Sequence, residues 1–209
     1  MFSSDVLSFR EFAMRETLPL STIQNAVLDF LRGRNDAVLC GAQAVNAYVG
    51  EPRMSQDVDL QSTRAAELAE ELREHLHAHF HIAVPVHEVG GGRGYRLYQT
   101  RQEGSRHLVD LRPVSELPGA TRIAGVLVIE PAGLIASKVI AYDGRRGQPK
   151  SGTDWRDLAM LLLAFPELQR HPGPVSDILE ASRASPPAMD FWQSLVAKEI
   201  RKPAEDDDI

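Results

Sequence analysis

Apolar positions in this chain follow two different periods. Ile23, Val27, Phe30 and Leu31 recur every three to four residues, as do Leu68, Leu72, Leu76 and Phe80. Such spacing lines up one stripe of a helix, so helices are predicted over residues 21–34, with Ser21 placed to cap, and over 64–81. Short apolar or alternating runs predict strands over 37–40, 57–61, 83–88, 94–100, 106–112 and 126–129, and a short helix over 42–48. Gly90-Gly91-Gly92 and Gln102-Glu103-Gly104 read as turns between strands. After Pro131 the pattern turns helical, over 131–143, 154–165, 175–182 and 188–200, with prolines and glycines between. The expected organisation is an α/β domain over 1–130, a helical subdomain over 131–203 and an acidic disordered tail over 204–209.

Chemistry enters where the strands carry acids. Asp57 and Asp59 stand at i and i+2 of one predicted strand and project to one face, while Val58 and Leu60 face the core. Two adjacent anions are costly unless a cation lies between them. Hard divalent ions take oxygen ligands and share them with phosphates, so the pair points to Mg²⁺-dependent phosphoryl or nucleotidyl transfer. Upstream, the Val38-Leu39-Cys40 strand hands over to a helix at Gly41-Ala42. Unsatisfied N–H groups and the positive end of the helix dipole would meet the phosphates of a nucleoside triphosphate there, and glycine permits close approach. Metal ions need more oxygens than one pair supplies, and Asp110, flanked by apolar strand residues, is the expected third ligand, nearest the attacking group.

Composition bounds the rest. The chain has 209 residues, 43% hydrophobic and 25% charged, enough for an ordinary core. Met1-Phe2-Ser3-Ser4-Asp5 shows no basic stretch leading into an apolar run, and the apolar run 158–165 is too short to span a bilayer. A cytoplasmic protein with no membrane association is expected. The single cysteine, Cys40, in an apolar strand fits a reducing compartment and a packing role. The net charge is −6, of which Glu205-Asp206-Asp207-Asp208 supplies four, whereas residues 93–157 hold eleven Lys/Arg against seven Asp/Glu, an excess of four positive charges. That excess could face a nucleotide or RNA, and a solvated mixed-charge surface explains it equally well. Arg145, Arg146 and Lys150 could touch an RNA backbone, and Arg53 a phosphate; surface solvation is the alternative for each. His75, His77, His79 and His81 form two i,i+4 pairs pointing different ways, so a polar helix face is expected rather than a metal site. The glycine run 90–94 lies between strands, unlike a dinucleotide fingerprint.

Gly41-Ala42, Asp57-Val58-Asp59 and Asp110 together resemble the signature of the DNA polymerase β nucleotidyltransferase superfamily. Residues 130–138, Glu-Pro-Ala-Gly-Leu-Ile-Ala-Ser-Lys, and 154–158, Asp-Trp-Arg-Asp-Leu, are similar to the lysine and Arg-Asp motifs of the AbiE-type abortive-infection toxin nucleotidyltransferases. The resemblance spans residues 37–165. It implies an α+β class with the nucleotidyltransferase fold: a mixed β-sheet with flanking helices, followed by a small C-terminal helical subdomain. It also implies transfer of a nucleoside monophosphate from an NTP with release of pyrophosphate, supported by Mg²⁺ or Mn²⁺ on Asp57, Asp59 and Asp110. Lys138 would neutralise phosphate charge, and Asp157 would position or deprotonate the acceptor hydroxyl. Read without the resemblance, Lys138 is an exposed helix lysine and Asp157 an acid in a helix's first turn. The family frequently has Ser or Gly at the position of Ala42 and Ser or Thr near Gln43. Ala42 keeps its N–H but brings no hydroxyl to a phosphate, leaving Gln43 as a substitute donor.

The implied acceptor is RNA, a tRNA 3′ end above all, with a cognate antitoxin as partner. Two alternatives stay open: a small-molecule hydroxyl, as in antibiotic-modifying members of the superfamily, and a non-catalytic protein of the same fold that binds a nucleotide or partner.

Overall fold

A computed structural model describes residues 18–201 and divides the chain into two compact units between Glu130 and Pro131. The N-terminal pentapeptide and the acidic stretch 204–209 lie outside the described residues.

The first unit contains α1 (Leu20–Leu31), β1 (Ala37–Cys40), α2 (Gly41–Tyr48), β2 (Val58–Ser62), α3 (Ala65–Phe80), β3 (Val86–Val89), β4 (Gly94–Arg101), β5 (Gly104–Pro113), β6 (Ala120–Ile123) and β7 (Val126–Ile129). Its seven strands form one mixed sheet in the order β3-β4-β5-β2-β1-β7-β6. The β2–β5 and β1–β7 pairs are parallel and the others antiparallel. Helices α1 and α3 pack on each other and on the sheet. Their apolar stripes, Ile23, Val27 and Leu31 on α1 and Leu68, Leu72 and Leu76 on α3, are buried with Val58, Leu60, Leu97, Val109 and Leu111 of the strands. Burial of that set is the main force holding the unit together. On β2 the alternation is strict: Val58, Leu60 and Ser62 are buried, and Asp59 and Gln61 are half-buried on the opposite face. No helix among the described residues is long and apolar enough to cross a membrane.

Several boundaries differ from expectation. Helix α1 begins at Leu20 after Pro19, with no side-chain cap bond, so Ser21 lies inside the first turn instead of capping it. Strand β6 carries no apolar alternation, only Ala-Thr-Arg-Ile at the sheet edge, and escapes a reading by period. A two-residue turn makes the β6–β7 hairpin: Ile123 pairs with Val126, and Ala124 (φ 47°) and Gly125 (φ 86°) both take the left-handed conformation that such turns require. Ala-Gly is a weaker signal for it than Asn-Gly.

At the start of β1, Arg34 forks onto Asp36 at 2.7 and 2.9 Å and reaches Glu71 of α3 at 2.7 Å. The Arg34 hydrogen bond holds the Asp36 carboxyl below its ordinary value near 3.8. A depressed carboxyl pKa contributes stability that is present above the unfolded value and is lost as pH falls through the folded one. Asp36→Asn should therefore unfold at a lower temperature than wild type at neutral pH. Thermal melts in acid should show that gap closing below pH 4; a gap that persists unchanged there would contradict the linkage.

The second unit consists of α4 (Pro131–Gly144), α5 (Lys150–Ala164), a 3₁₀ turn (Pro166–Leu168), α6 (Pro174–Ala181) and α7 (Pro186–Val196). Helix α4 packs against α5, α6 and α7. Its core includes Leu134, Ile135, Val139, Leu158, Leu161, Val175, Leu179 and Trp192. The Trp192 indole N–H donates to Ser176 Oγ at 3.0 Å, and Ser185 caps α7 by accepting from the Ala188 N–H. Helix α5 starts at Lys150, four residues before the expected start at Asp154, because Asp154 does not cap. Its buried carboxylate accepts instead from Arg145 at 2.8 Å. The basic loop expected at 145–150 is thus partly consumed in ion pairs, with Arg146 also reaching Asp143 at 3.2 Å.

Candidate active site

Parallel pairing of β2 with β5 makes Asp59 and Asp110 register partners, so both side chains leave the sheet on one face. Cys40 is the partner of Asp59 on β1, and Arg96 the partner of Asp110 on β4. Asp57 stands one residue before β2 and keeps its alternation. Its carboxylate meets His107 of β5, with Nδ1 to Oδ2 at 3.3 Å.

His107 reaches that face through an irregularity. Tyr98 pairs with His107 whereas Leu97 pairs with Val109, so Leu108 is an extra residue on β5, and Leu108 and Val109 are both buried. Without the bulge, His107 and Asp110, three apart, would point to opposite faces. The Asp57 hydrogen bond raises the His107 pKa above its usual value, outweighing partial burial, and the Asp110 charge adds to the effect. The second ring nitrogen faces the Val109 carbonyl at 3.0 Å. An imidazolium can donate to both partners, which is the form the raised pKa favours.

Arg96 Nε lies 3.4 Å from Asp110 Oδ2. Two carboxylates of the face are therefore accompanied by basic side chains, and among the described residues no group of three or more His, Cys, Asp or Glu is gathered closely enough to hold a metal ion. The donor chemistry nevertheless suits one: three carboxylates stand on one face of neighbouring strands, all hard oxygen donors.

The third carboxylate lies against the β1–α2 turn. Gly41 has φ 63°, and a Cβ there would collide with Asp59 Oδ2. Glycine is required on both counts. The α2 cap residue, Cys40, offers no side-chain hydrogen bond to the first-turn N–H groups, and Ala42 is buried beside them. Burial pushes the Cys40 thiol up to about 12, with the Asp59 charge acting the same way, so it is a packing residue and not a nucleophile. Gln43 does not serve as the expected phosphate donor: its side chain is buried and Nε2 donates to Gln24 Oε1 at 3.2 Å. Gln24 in turn donates to the Ser55 carbonyl, and Ser55 Oγ to that of Asp57, bracing the approach to β2. Gly41→Ala should cost about 1–3 kcal/mol from the left-handed backbone alone and should displace Asp59. A thermal midpoint equal to wild type would show that the turn tolerates a side chain.

In the helical unit, Lys138 Nζ lies 2.7 Å from Asp157 Oδ2 and 3.8 Å from Asp154 Oδ1. All three residues are buried. Neither description made without the family resemblance holds: Lys138 is not exposed, and Asp157 lies mid-helix in α5, not in its first turn. His107 and Arg96 are participants that the sequence motifs did not single out, and Asp154, inside the Asp-Trp-Arg-Asp-Leu motif, has no role assigned there.

The family model described as "Nucleotidyl transferase AbiEii toxin, Type IV TA system" matches residues 26–188. The chain belongs to this AbiEii family. Every candidate site residue lies within the match. No curated protein matches the sequence. Among solved structures, the Megavirus polyadenylate synthase superposes with a TM-score of 0.60 at 12% identity, over 78% of this chain and 35% of that one. The chain thus spans about a third of that protein's length. JHP933 from Helicobacter pylori gives a TM-score of 0.52 at 13% identity, over 92% and 94% of the two chains. These likenesses place the AbiEii chain in the α+β nucleotidyltransferase fold.

Proposed function

We propose that this chain transfers a nucleoside monophosphate from an NTP to a hydroxyl at the 3′ end of an RNA, tRNA above all, with Mg²⁺ or Mn²⁺ held by Asp57, Asp59 and Asp110. The observation that carries the reading is the Asp59–Asp110 register pair, with Asp57 on the same face and the Gly41 turn beside Asp59. A divalent cation bound there would offset phosphate charge and activate the phosphorus toward attack. The residues of the chain do the rest. Gly41 lets phosphate approach the backbone, and the first-turn N–H groups of α2, that of Ala42 included, donate to it. Asp110, on the β5 side, is placed to accept the acceptor hydroxyl's proton. His107 balances Asp57 and holds its carboxylate in place.

Lys138 is proposed to neutralise phosphate charge, and Asp157, itself buried, to act through Lys138 by holding that ammonium in place. What supports a role beyond stability is the expense of keeping three charged groups buried in a small helical unit. Titration of Lys138→Ala with a non-hydrolysable NTP tests it: weakened affinity fits the assignment, and unchanged affinity removes Lys138 from the site.

Membership of a type IV toxin–antitoxin family supports a cognate antitoxin as partner and a cytoplasmic setting. To fix the acceptor, the protein is incubated with each labelled NTP, Mg²⁺ and total RNA, and RNA 3′ ends are sequenced. Added nucleotides on one RNA class are expected. Label transferred to hydroxyl-bearing antibiotics but not to RNA would instead establish the small-molecule reading.

A further inference from the structure

Strand register sets out a line of side chains across the site face: His87, Arg96, Asp110, Asp59 and Cys40, on β3, β4, β5, β2 and β1 in turn. Gly41 and the α2 N-terminus stand at the β1 end, the carboxylates in the middle, and Arg96 and His87 at the other end. The two ends differ in chemistry. At the β3–β4 end three rings run side by side: His87 to Tyr98 at 5.0 Å between centroids and Tyr98 to His107 at 5.0 Å, tilted by 42° and 32°. Arg96, two residues before Tyr98 on β4, lies beside them, with Nε 3.4 Å from Asp110 Oδ2. Its side chain is 44% exposed, and His87 is exposed. A guanidinium carries five donors in a fixed fork, more than the Asp110 contact uses.

We infer that the His87–Tyr98–Arg96 strip seats the 3′-terminal nucleotide of the RNA acceptor, the base against the Tyr98 and His87 rings and the adjoining phosphate on Arg96. The inference rests on the nucleotidyl-transfer reading of the site and adds to it the side from which the acceptor enters. Aromatic rings beside a cation suit a single-stranded nucleic-acid end, because each base offers a π face and each phosphate a charge. The triphosphate has its own donors at the Gly41 end, so the strip is left to the acceptor. A 3′ hydroxyl on a nucleotide seated there lies next to Asp110, the carboxylate that shares Arg96 with the strip. A small hydroxyl compound would use neither the row of rings nor the phosphate fork.

The test is fluorescence anisotropy with the full chain and a short single-stranded RNA labelled at its 5′ end, alongside calorimetric titration with a non-hydrolysable NTP and Mg²⁺. Tyr98→Leu and Arg96→Ala are each expected to weaken RNA binding about tenfold or more, while NTP affinity stays within about twofold. Arg96→Ala should also lower the slope of log affinity against log salt by about 0.7, one phosphate contact on a single strand. Tyr98→Phe keeps the ring and should bind RNA nearly as wild type does. An RNA whose 3′-terminal residue lacks its base should bind wild type as weakly as the complete RNA binds Tyr98→Leu. Equal affinity of wild type for the two RNAs, or RNA affinity unmoved in Tyr98→Leu and Arg96→Ala while NTP still binds, would overturn the inference and leave nucleotidyl transfer standing. A wild-type chain that binds neither NTP nor RNA would overturn both.

Discussion

Asp59→Asn is expected to reduce nucleotidyl transfer by roughly 10²–10³-fold or more, in line with the loss of a single well-placed electrostatic group at other transfer centres. The substitution keeps the shape of a side chain packed over Gly41 and removes only its charge. Asp59 faces Asp110 in register, with Asp57 two residues away on the same strand line. Removing one of three neighbouring anions relieves repulsion, so the folded state should be undamaged. Circular dichroism and a thermal melt check the fold, and initial rates of label transfer check the chemistry. Equal rates for wild type and variant would remove Asp59 from the site. Asp110→Asn should behave alike, because its register position is equivalent.

The largest expected stability effect lies in the helical unit. Lys138→Met keeps length and apolar bulk but leaves Asp157, 0% exposed, without the ammonium at 2.7 Å. Removing one partner of a buried pair costs about 3–5 kcal/mol, or roughly 6–20 °C in thermal midpoint for a chain of this size. Asp154 still has Arg145 at 2.8 Å. The double variant Lys138→Met/Asp157→Leu replaces the ions with apolar side chains and should recover most of the loss. Guanidinium unfolding of the single and double variants separates the cases: a single variant as stable as wild type would mean that the pair contributes nothing.

Much of this was legible in the chain because its signals are local. The Asp-x-Asp alternation, the Gly41 turn and the Leu68-Leu72-Leu76 stripe each depend on a few consecutive residues, and the structure puts them where those periods require. Asp110 could be read as an acid among apolar strand residues, although its pairing with Asp59 depends on β5 lying beside β2, a contact across about fifty residues. What escaped the sequence was non-local. The Leu108 bulge turns His107 toward Asp57, and nothing in Arg-His-Leu-Val-Asp announces it. Arg96 meets Asp110 only through register. Gln43 looked available at a helix N-terminus, but Gln24, nineteen residues earlier, draws it inside. Asp154 stood at the expected start of a helix and proved to be a buried acceptor for Arg145 inside it.

The central claim, that the Asp57–Asp59–Asp110 face supports divalent-metal-dependent nucleotidyl transfer, is tested most directly by incubating the wild-type chain with α-labelled NTPs and RNA, with Mg²⁺ or with excess EDTA. The account predicts label joined to RNA 3′ ends with Mg²⁺, pyrophosphate released in equal amount, and neither in EDTA. Label transfer that continues undiminished in EDTA, or its absence with every NTP in both Mg²⁺ and Mn²⁺, would contradict it.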